Sequence, residues 1–407
     1  MATAEMRGRT ACTLWTILLL ALAAFVAPGP VRASAWPTVS VLDHASLPHG
    51  LRSAGTCVGG LSALTPEQGP GVDPRRHYLA ASDDARDPRL YRLDLPIEIA
   101  DDGTARFGEV AVIGVRRLRT REGARYPDDR VDPEGLAMWD GSQLFLASAG
   151  AVAAGVPPAL DRIDPRSGRY RGSLTLPPDF DLDDGGQRGT RINRGLEGLT
   201  LTPDRAWLLA ALEDAPAQGM PRRTADPGDP HAPRPFDEAA PRDAVLLRYA
   251  LEAIAGGAPV PRLADRAALA LDVPSVEPAD AIVVHGVTEL LALDATRVLA
   301  IERTFARGAA GFRILLRALD WPVRDGRDHD APLRLAVRTV LDVGAARLPD
   351  GRPVPLDNYE GLAFGPMLAD GARTVIVLGD NDAPDCPPPS AERSARPTHL
   401  LLLRLDE

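Results

Sequence analysis

The sequence predicts an all-β protein, a β-propeller of five or six blades, and three observations carry that reading. A short phrase recurs as Asp132-Pro-Glu-Gly-Leu136, Leu196-Glu-Gly-Leu199, Val287-Thr-Glu-Leu290 and Asn358-Tyr-Glu-Gly-Leu362, with a weaker first copy at Gly59-Gly-Leu-Ser-Ala63. Each copy runs into an apolar stretch, a turn and a second apolar stretch, and a further strand follows, often with arginine near one end. Strand-rich units repeating at roughly 60–90 residues, with turn signals throughout, point to radial blades of antiparallel sheet.

Taken in order, the chain begins with the layout of an export signal. Arg7 and Arg9 precede an apolar run over residues 14–27, and Ala33-Ser34-Ala35 offers a small-residue cleavage site before Trp36. Residues 1–35 are therefore set apart, and residues 36–407 are expected as one exported propeller domain. The run is short for a membrane span and no second one of spanning length follows, so no span is expected in the mature chain.

The first unit has apolar residues from Leu61 to Leu64, a long loop, then His77-Tyr-Leu-Ala-Ala81. In the second, Leu136-Ala-Met-Trp139 and Gln143-Leu-Phe-Leu-Ala147 flank Asp140-Gly141, a strong hairpin signal because both turn residues tolerate positive φ. The third turns at Pro203-Asp204 and the fourth at Asp294-Ala295, while the fifth takes a longer loop through Asp370-Gly371. Residues 215–243 and 383–397 are rich in Pro and charged residues and read as long loops, functional or mobile inside a compact domain. Residues 251–271 suit either a helix or an extra hairpin.

A formal net charge of -10 argues against nucleic acid as a partner, since phosphate backbones need a basic surface. It suits a site that collects cations. Every one of the 46 basic residues is arginine. Of the three cysteines, Cys12 falls in the signal, leaving Cys57 and Cys386. Propellers close by pairing a strand from one terminus with strands from the other. A strand near residues 38–42 beside the C-terminal strand at residues 399–405 brings Cys57 and Cys386 into one neighbourhood, so a disulfide between them is expected.

Hairpin geometry supplies the candidate site. The Glu of each phrase opens a first strand, and the acids after the second strand close the hairpin, so the two ends lie side by side. Glu197 is thus expected near Glu213 and Asp214, Glu289 near Glu302, and Glu360 near Asp380 and Asp382. Asp83 and Asp84 are expected near Ser62, and Glu134 stands alone because Ala149 follows the second strand of its unit. In a propeller these edges form a carboxylate rim at one channel mouth. Glu134, Glu197, Glu289 and Glu360 are the expected ligands or general bases. Asp83, Asp84, Glu213, Asp214, Glu302, Asp380 and Asp382 would complete a site for a hard divalent cation, Ca²⁺ before Mg²⁺ or Mn²⁺. The structural alternative is that each acid caps turn N–H groups in its own blade. Arg194 and Arg303 are placed to bind an anionic substrate, or else to pair with glutamates between blades. Among the histidines only His285, just before the fourth phrase, is placed to act.

The repeated phrases, the strand ending Leu79-Ala-Ala-Ser-Asp-Asp84, the turn Asp161-Arg-Ile-Asp-Pro-Arg-Ser-Gly168 and the closing Leu378-Gly-Asp-Asn-Asp382 together resemble the phytase-like family, described as "esterase-like activity of phytase". The resemblance implies an exported bacterial protein, periplasmic or extracellular, whose acidic residues carry phosphoesterase-type activity on a small anionic substrate. Ala149 and the Thr-Glu-Leu form at Glu289 depart from the repeated pattern. A phosphoester hydrolase is the first expectation. A lactonase-like carboxyl-ester hydrolase using the same channel metal and a non-catalytic binding propeller are the rivals, which fold alone does not separate.

Overall fold

Five antiparallel sheets, each opening on one copy of the phrase, follow one another along the chain. They are seen in a computed structural model that describes residues 36–407 apart from 183–186, 223–235, 253–259, 276–280, 309–310, 325–331, 383–385 and 387–395. The first blade is built from Leu61–Pro66, His77–Ser82, Arg89–Asp94 and Ala111–Arg117, and the second from Pro133–Asp140, Gln143–Ser148, Ala159–Ile163 and Tyr170–Leu174. The third uses Leu196–Leu201, Trp207–Leu212, Asp243–Glu252 and Val260–Ala270, with Leu333–Arg334 added in parallel at its edge. The fourth uses Ile282–Ala292, Arg297–Ala306, Arg313–Asp320 and Ala336–Asp342. The fifth combines Asn358–Met367, Arg373–Asp380 and Thr398–Asp406 with the N-terminal strand Thr38–Leu47. The first strand of each blade lies beside the first strand of the next, which closes a five-bladed propeller around a central axis.

Closure uses both termini. Thr38 pairs with Asp406 and Leu47 with Thr398, so the N-terminal strand is the outer edge of the last blade. Cys57 and Cys386 are disulfide-bonded with their Cα atoms 5.5 Å apart. Within residues 251–271, ambiguous in the sequence, Val260–Ala270 forms the fourth strand of the third blade, antiparallel to Asp243–Glu252. Residues 1–35, residues 223–235 of the first Pro-rich stretch and residues 383–385 and 387–395 of the second lie outside the described residues. Among the described residues no helix is long and apolar enough to cross a membrane.

The packing explains why many strands are apolar without a break. Each sheet buries both faces, one against the blade before it and one against the blade after. Leu400 and Leu402 pack with Leu64, Tyr78 and Tyr91 of the first blade, whereas Leu401 and Leu403 pack with Leu299, Ile301 and Leu316 of the fourth. Strand alternation sends neighbouring leucines to different interfaces. Burying a leucine side chain contributes about 1.5–3 kcal/mol, so the run from Leu400 to Leu403 ties three blades together.

Candidate functional site

The phrase marks a β-bulge. Strand pairing slips between Leu61 and Ala63, Pro133 and Gly135, Leu196 and Leu199, Val287 and Glu289, and Tyr359 and Gly361. An extra residue at such a slip has its side chain re-aimed. The first residue inside each slip is Ser62, Glu134, Glu197, Thr288 or Glu360, one from each inner strand. The adjacent strands supply a second set, one residue beyond the partners of Leu61, Pro133, Leu196, Val287 and Tyr359. That set is Asp83, Ala149, Glu213, Arg303 and Asp380. Two five-membered rings of equivalent positions therefore surround one mouth of the channel, carrying six carboxylates and one guanidinium.

The glycine of the phrase has a steric reason. A Cβ on Gly135 would run into the backbone oxygen of Glu197 on the next inner strand. The fourth blade departs from this rule because Glu289 occupies the equivalent position, leaving Thr288 as its ring member. Glu289 Oε1 accepts the N–H groups of Leu199 (2.8 Å) and Leu290 (2.9 Å), and a Cβ on Gly198 would lie only 3.0 Å from the Glu289 carbonyl carbon. The side chain thus laces two inner strands together. Thr288 donates to the Tyr359 carbonyl (3.2 Å), and Ser62 likewise donates to the Pro133 carbonyl (2.7 Å).

Arg303 stands at the centre of the acids. Its Nη2 donates to Glu213 (2.9 Å), and its Nη1 donates to Asn358 Oδ1 (2.6 Å) and to Glu360, so it joins the third, fourth and fifth blades. Burial opposes its charge, but Glu360, Glu213 and Glu197 outweigh burial and hold the proton on. Asn358 Nδ2 in turn reaches Glu360 (3.0 Å), Asp380 (3.3 Å) and Asp382 (3.4 Å). Arg194 meets Glu213 at 3.5 Å and donates to the Val283 carbonyl at 2.7 Å.

One guanidinium does not balance this many acids. Burial, with Arg303 pulling the other way and Asp83 and Asp382 adding repulsion, pushes Glu360 up to about 8. Burial and the charge of Asp83 raise Asp132 to about 7, and burial with Asp382 raises Asp83 itself to about 6. Glu134, Glu197 and Asp380 are raised well above the carboxylate range, first by burial and then by neighbouring acids. Oδ1 of Asp83 is buried and has no hydrogen-bond partner among the described residues. Among the described residues no three acidic, histidine or cysteine groups are gathered closely enough to hold a metal ion.

Several residues expected at the rim lie elsewhere. Asp84 is paired with Arg89 (2.7 Å). Asp214 is enclosed by Arg191 (2.5 Å), Arg242 (2.6 Å) and the Ala215 N–H (2.7 Å). Glu302 pairs with Arg317 and accepts the Asp272 N–H (2.5 Å), because its partner across the hairpin is Val287 and not Glu289. His285 Nε2 lies 3.4 Å from Glu302 while its Nδ1 bonds Thr304 Oγ1 (2.7 Å), and burial lowers its pKa to about 3. Asp382 is exposed beside Arg396 (3.0 Å) at the edge of the mouth. Asp132 and Asn358 were missed by the sequence reading. Both stand two residues before a phrase glutamate, where the other units have Gly60, Gly195 and Gly286, and that alignment was available.

A five-bladed propeller with a carboxylate-lined mouth is the class these features define. Residues 56–383 match the phytase-like family, described as esterase-like activity of phytase, and the chain belongs to it. No functionally curated protein matches the chain. Similar solved structures include the Dos1 propeller (5% identity, TM-score 0.32, covering 86% of this chain and 69% of that one). An endo-arabinase from Bacteroides thetaiotaomicron VPI-5482 gives 11% identity and TM-score 0.38 over 89% of this chain and 97% of that one. A hypothetical protein from Leishmania major gives 10% and 0.36 over 88% and 89%.

Proposed function

We propose that the protein is an exported hydrolase that cleaves a small anionic ester, a phosphoester first of all, at the acidic mouth. Family membership supports the hydrolase class. The observation that carries the site is the gathering of Glu197, Glu213 and Glu360 on one buried guanidinium, with Glu134, Asp83 and Asp380 at equivalent positions around the same mouth. Acids held near neutrality in a dry setting can give a proton to a leaving-group oxygen, while an ionised neighbour takes one from water. Glu360, raised to about 8, suits the acid role. Glu134 and Glu197, which burial also keeps protonated, would act as bases only once a bound cation offsets the repulsion among the acids, and Arg303 and Arg194 are the candidate contacts for the substrate's anionic group.

A divalent cation, Ca²⁺ foremost, fits the donor set, which is all oxygen and includes the unpartnered Asp83 Oδ1. Asp83, Asp132, Asp380 and Asp382 would have to draw closer together than they stand to hold it, and it would supply charge neutralisation for a phosphate among carboxylates. A second reading, a lactone or other carboxyl ester as substrate, is favoured by the acidity of the mouth itself, which repels a dianion and tolerates a neutral ester. The Cys57–Cys386 disulfide supports export, since such bonds persist in oxidising compartments.

The test is a screen of the chain from residue 36 onward against phosphomonoesters, phosphodiesters and lactones, in Ca²⁺ and in chelator. Phosphoester turnover raised by Ca²⁺ is expected. Turnover of lactones alone moves the assignment to the second reading, and no turnover of any substrate ends the hydrolase assignment in favour of a binding propeller.

A further inference from the structure

We propose that the opposite end of the channel is a second ligand site, built for a small monocarboxylate with an apolar body. This goes beyond the hydrolase reading and does not depend on it. The inner strands run away from the acids, and near their far ends they enclose a cavity of about 220 Å³ to which all five blades contribute. Its walls mix apolar side chains, Leu64, Leu136, Leu291 and Phe364 among them, with polar ones such as Thr202 and Gln68. An apolar cavity of about 150 Å³ is enough to hold benzene, so this one accommodates a ring with a substituent.

Three polar features give the cavity its chemistry. Arg205, at the hairpin turn of the third blade, reaches past Trp139 of the second blade to Gln68 of the first, donating to its Oε1 at 3.0 Å. That contact crosses the channel mouth. The partner is a neutral amide, and among the described residues no carboxylate lies within ion-pair distance of Arg205. Arg303, Arg242, Arg317, Arg89 and Arg396 are all paired with acids. The guanidinium at this mouth is therefore available to an incoming carboxylate, which it can meet with two parallel N–H groups. On the wall, Thr65 and Thr200 are buried hydroxyls that accept the N–H groups of Met138 (3.3 Å) and Ala292 (3.1 Å). Among the described residues neither donates its own proton to a protein acceptor, which leaves two O–H donors in the cavity wall for oxygen on a ligand.

A cationic mouth over an apolar chamber selects an amphiphile, with its charge at the entrance and its body inside. A highly charged polyanion does not suit the leucine walls, and a neutral hydrocarbon forgoes Arg205. Benzoate is the probe, measured by calorimetric titration with benzyl alcohol as its neutral counterpart. The expected result is saturable one-to-one benzoate binding that weakens at least tenfold in Arg205→Gln and is partly restored by Arg205→Lys, which keeps the charge but not the paired N–H groups. Arg205 is exposed on a turn, so these changes leave the packed interior alone. Glu360→Gln at the other mouth should leave benzoate binding unchanged. Absence of saturable binding, equal affinity in Arg205→Gln, or loss of binding in Glu360→Gln would each overturn the proposal. The last result would move the anion to the acidic mouth.

Discussion

Two groups of buried carboxylates lie within a few residues of each other and are treated in opposite ways. Asp214 is surrounded by Arg191 and Arg242, which outweigh burial and hold its pKa below the usual range. Glu213, its neighbour in the chain, faces the channel and shares Arg303 with Glu360. The same split divides Glu302 from Arg303. Alternation along a strand sends adjacent side chains to opposite faces, so one face of each second strand joins a compensated network between blades and the other an under-compensated mouth. A carboxylate that is matched by arginines holds blades together. One that is not matched keeps its proton or seeks a cation, and that is the raw material of chemistry.

The contrast can be broken first at its structural side. Asp214→Ala would leave Arg191 and Arg242 buried without their acid, and losing one partner of a buried pair costs about 3–5 kcal/mol. Chemical denaturation should register a loss of that order. A stability equal to the parent's would mean that the arginines are solvated and the network is not structural.

The pH dependence sharpens the contrast next. Glu360, Asp132 and Asp83 are raised to about 8, 7 and 6, so between their ordinary values and these the folded state binds more protons than the unfolded chain. Their contribution is fully present below about pH 4 and is lost as pH rises towards 8. Asp214, with its pKa lowered, contributes in the other direction and loses its share as pH falls into the acid range. Melting temperatures in chelator should therefore fall from pH 5 to pH 8, and millimolar Ca²⁺ should remove much of that fall by binding the folded state. A flat profile, identical with and without Ca²⁺, would deny both the surplus of acid and the cation.

The smallest expected effect is at Glu289. Its carboxyl serves two backbone N–H groups, and an amide oxygen can accept the same bonds. Glu289→Gln should leave hydrolysis unchanged, measured on whichever ester the screen identifies. A large loss would bring Glu289 back into the chemistry.

Much of this was legible in the sequence because a repeat exposes equivalent positions. The phrase, the apolar runs and the Asp-Gly turn predicted the blades, and ring closure predicted the Cys57–Cys386 bond and a strand near residues 38–42 beside the C-terminal strand, which the structure extends to residue 47. What stayed hidden was a displacement of one residue. Aligning the glutamates put Glu289 with Glu134, whereas aligning the leucines, Leu136 with Leu290, puts Thr288 there and exposes the bulge. The same displacement placed Glu302 and Asp214 at the mouth, because no propensity reports which face of a doubly buried strand a polar residue takes. Blade number stayed open between five and six because loops of unequal length blur the period.

The measurement that bears most directly on the account is the turnover of Glu360→Gln set beside that of Glu302→Gln. Both changes turn a buried, titratable carboxyl into an amide that cannot give up a proton, one at the mouth and one in the network between blades. Positioned acids and bases contribute about 10²–10⁴-fold, so Glu360→Gln should lose at least about 100-fold in kcat while its melting temperature at pH 8 holds or rises. Glu302→Gln should melt earlier and keep its turnover. Parent-like turnover in Glu360→Gln would contradict the assignment of the acidic mouth as the site of chemistry.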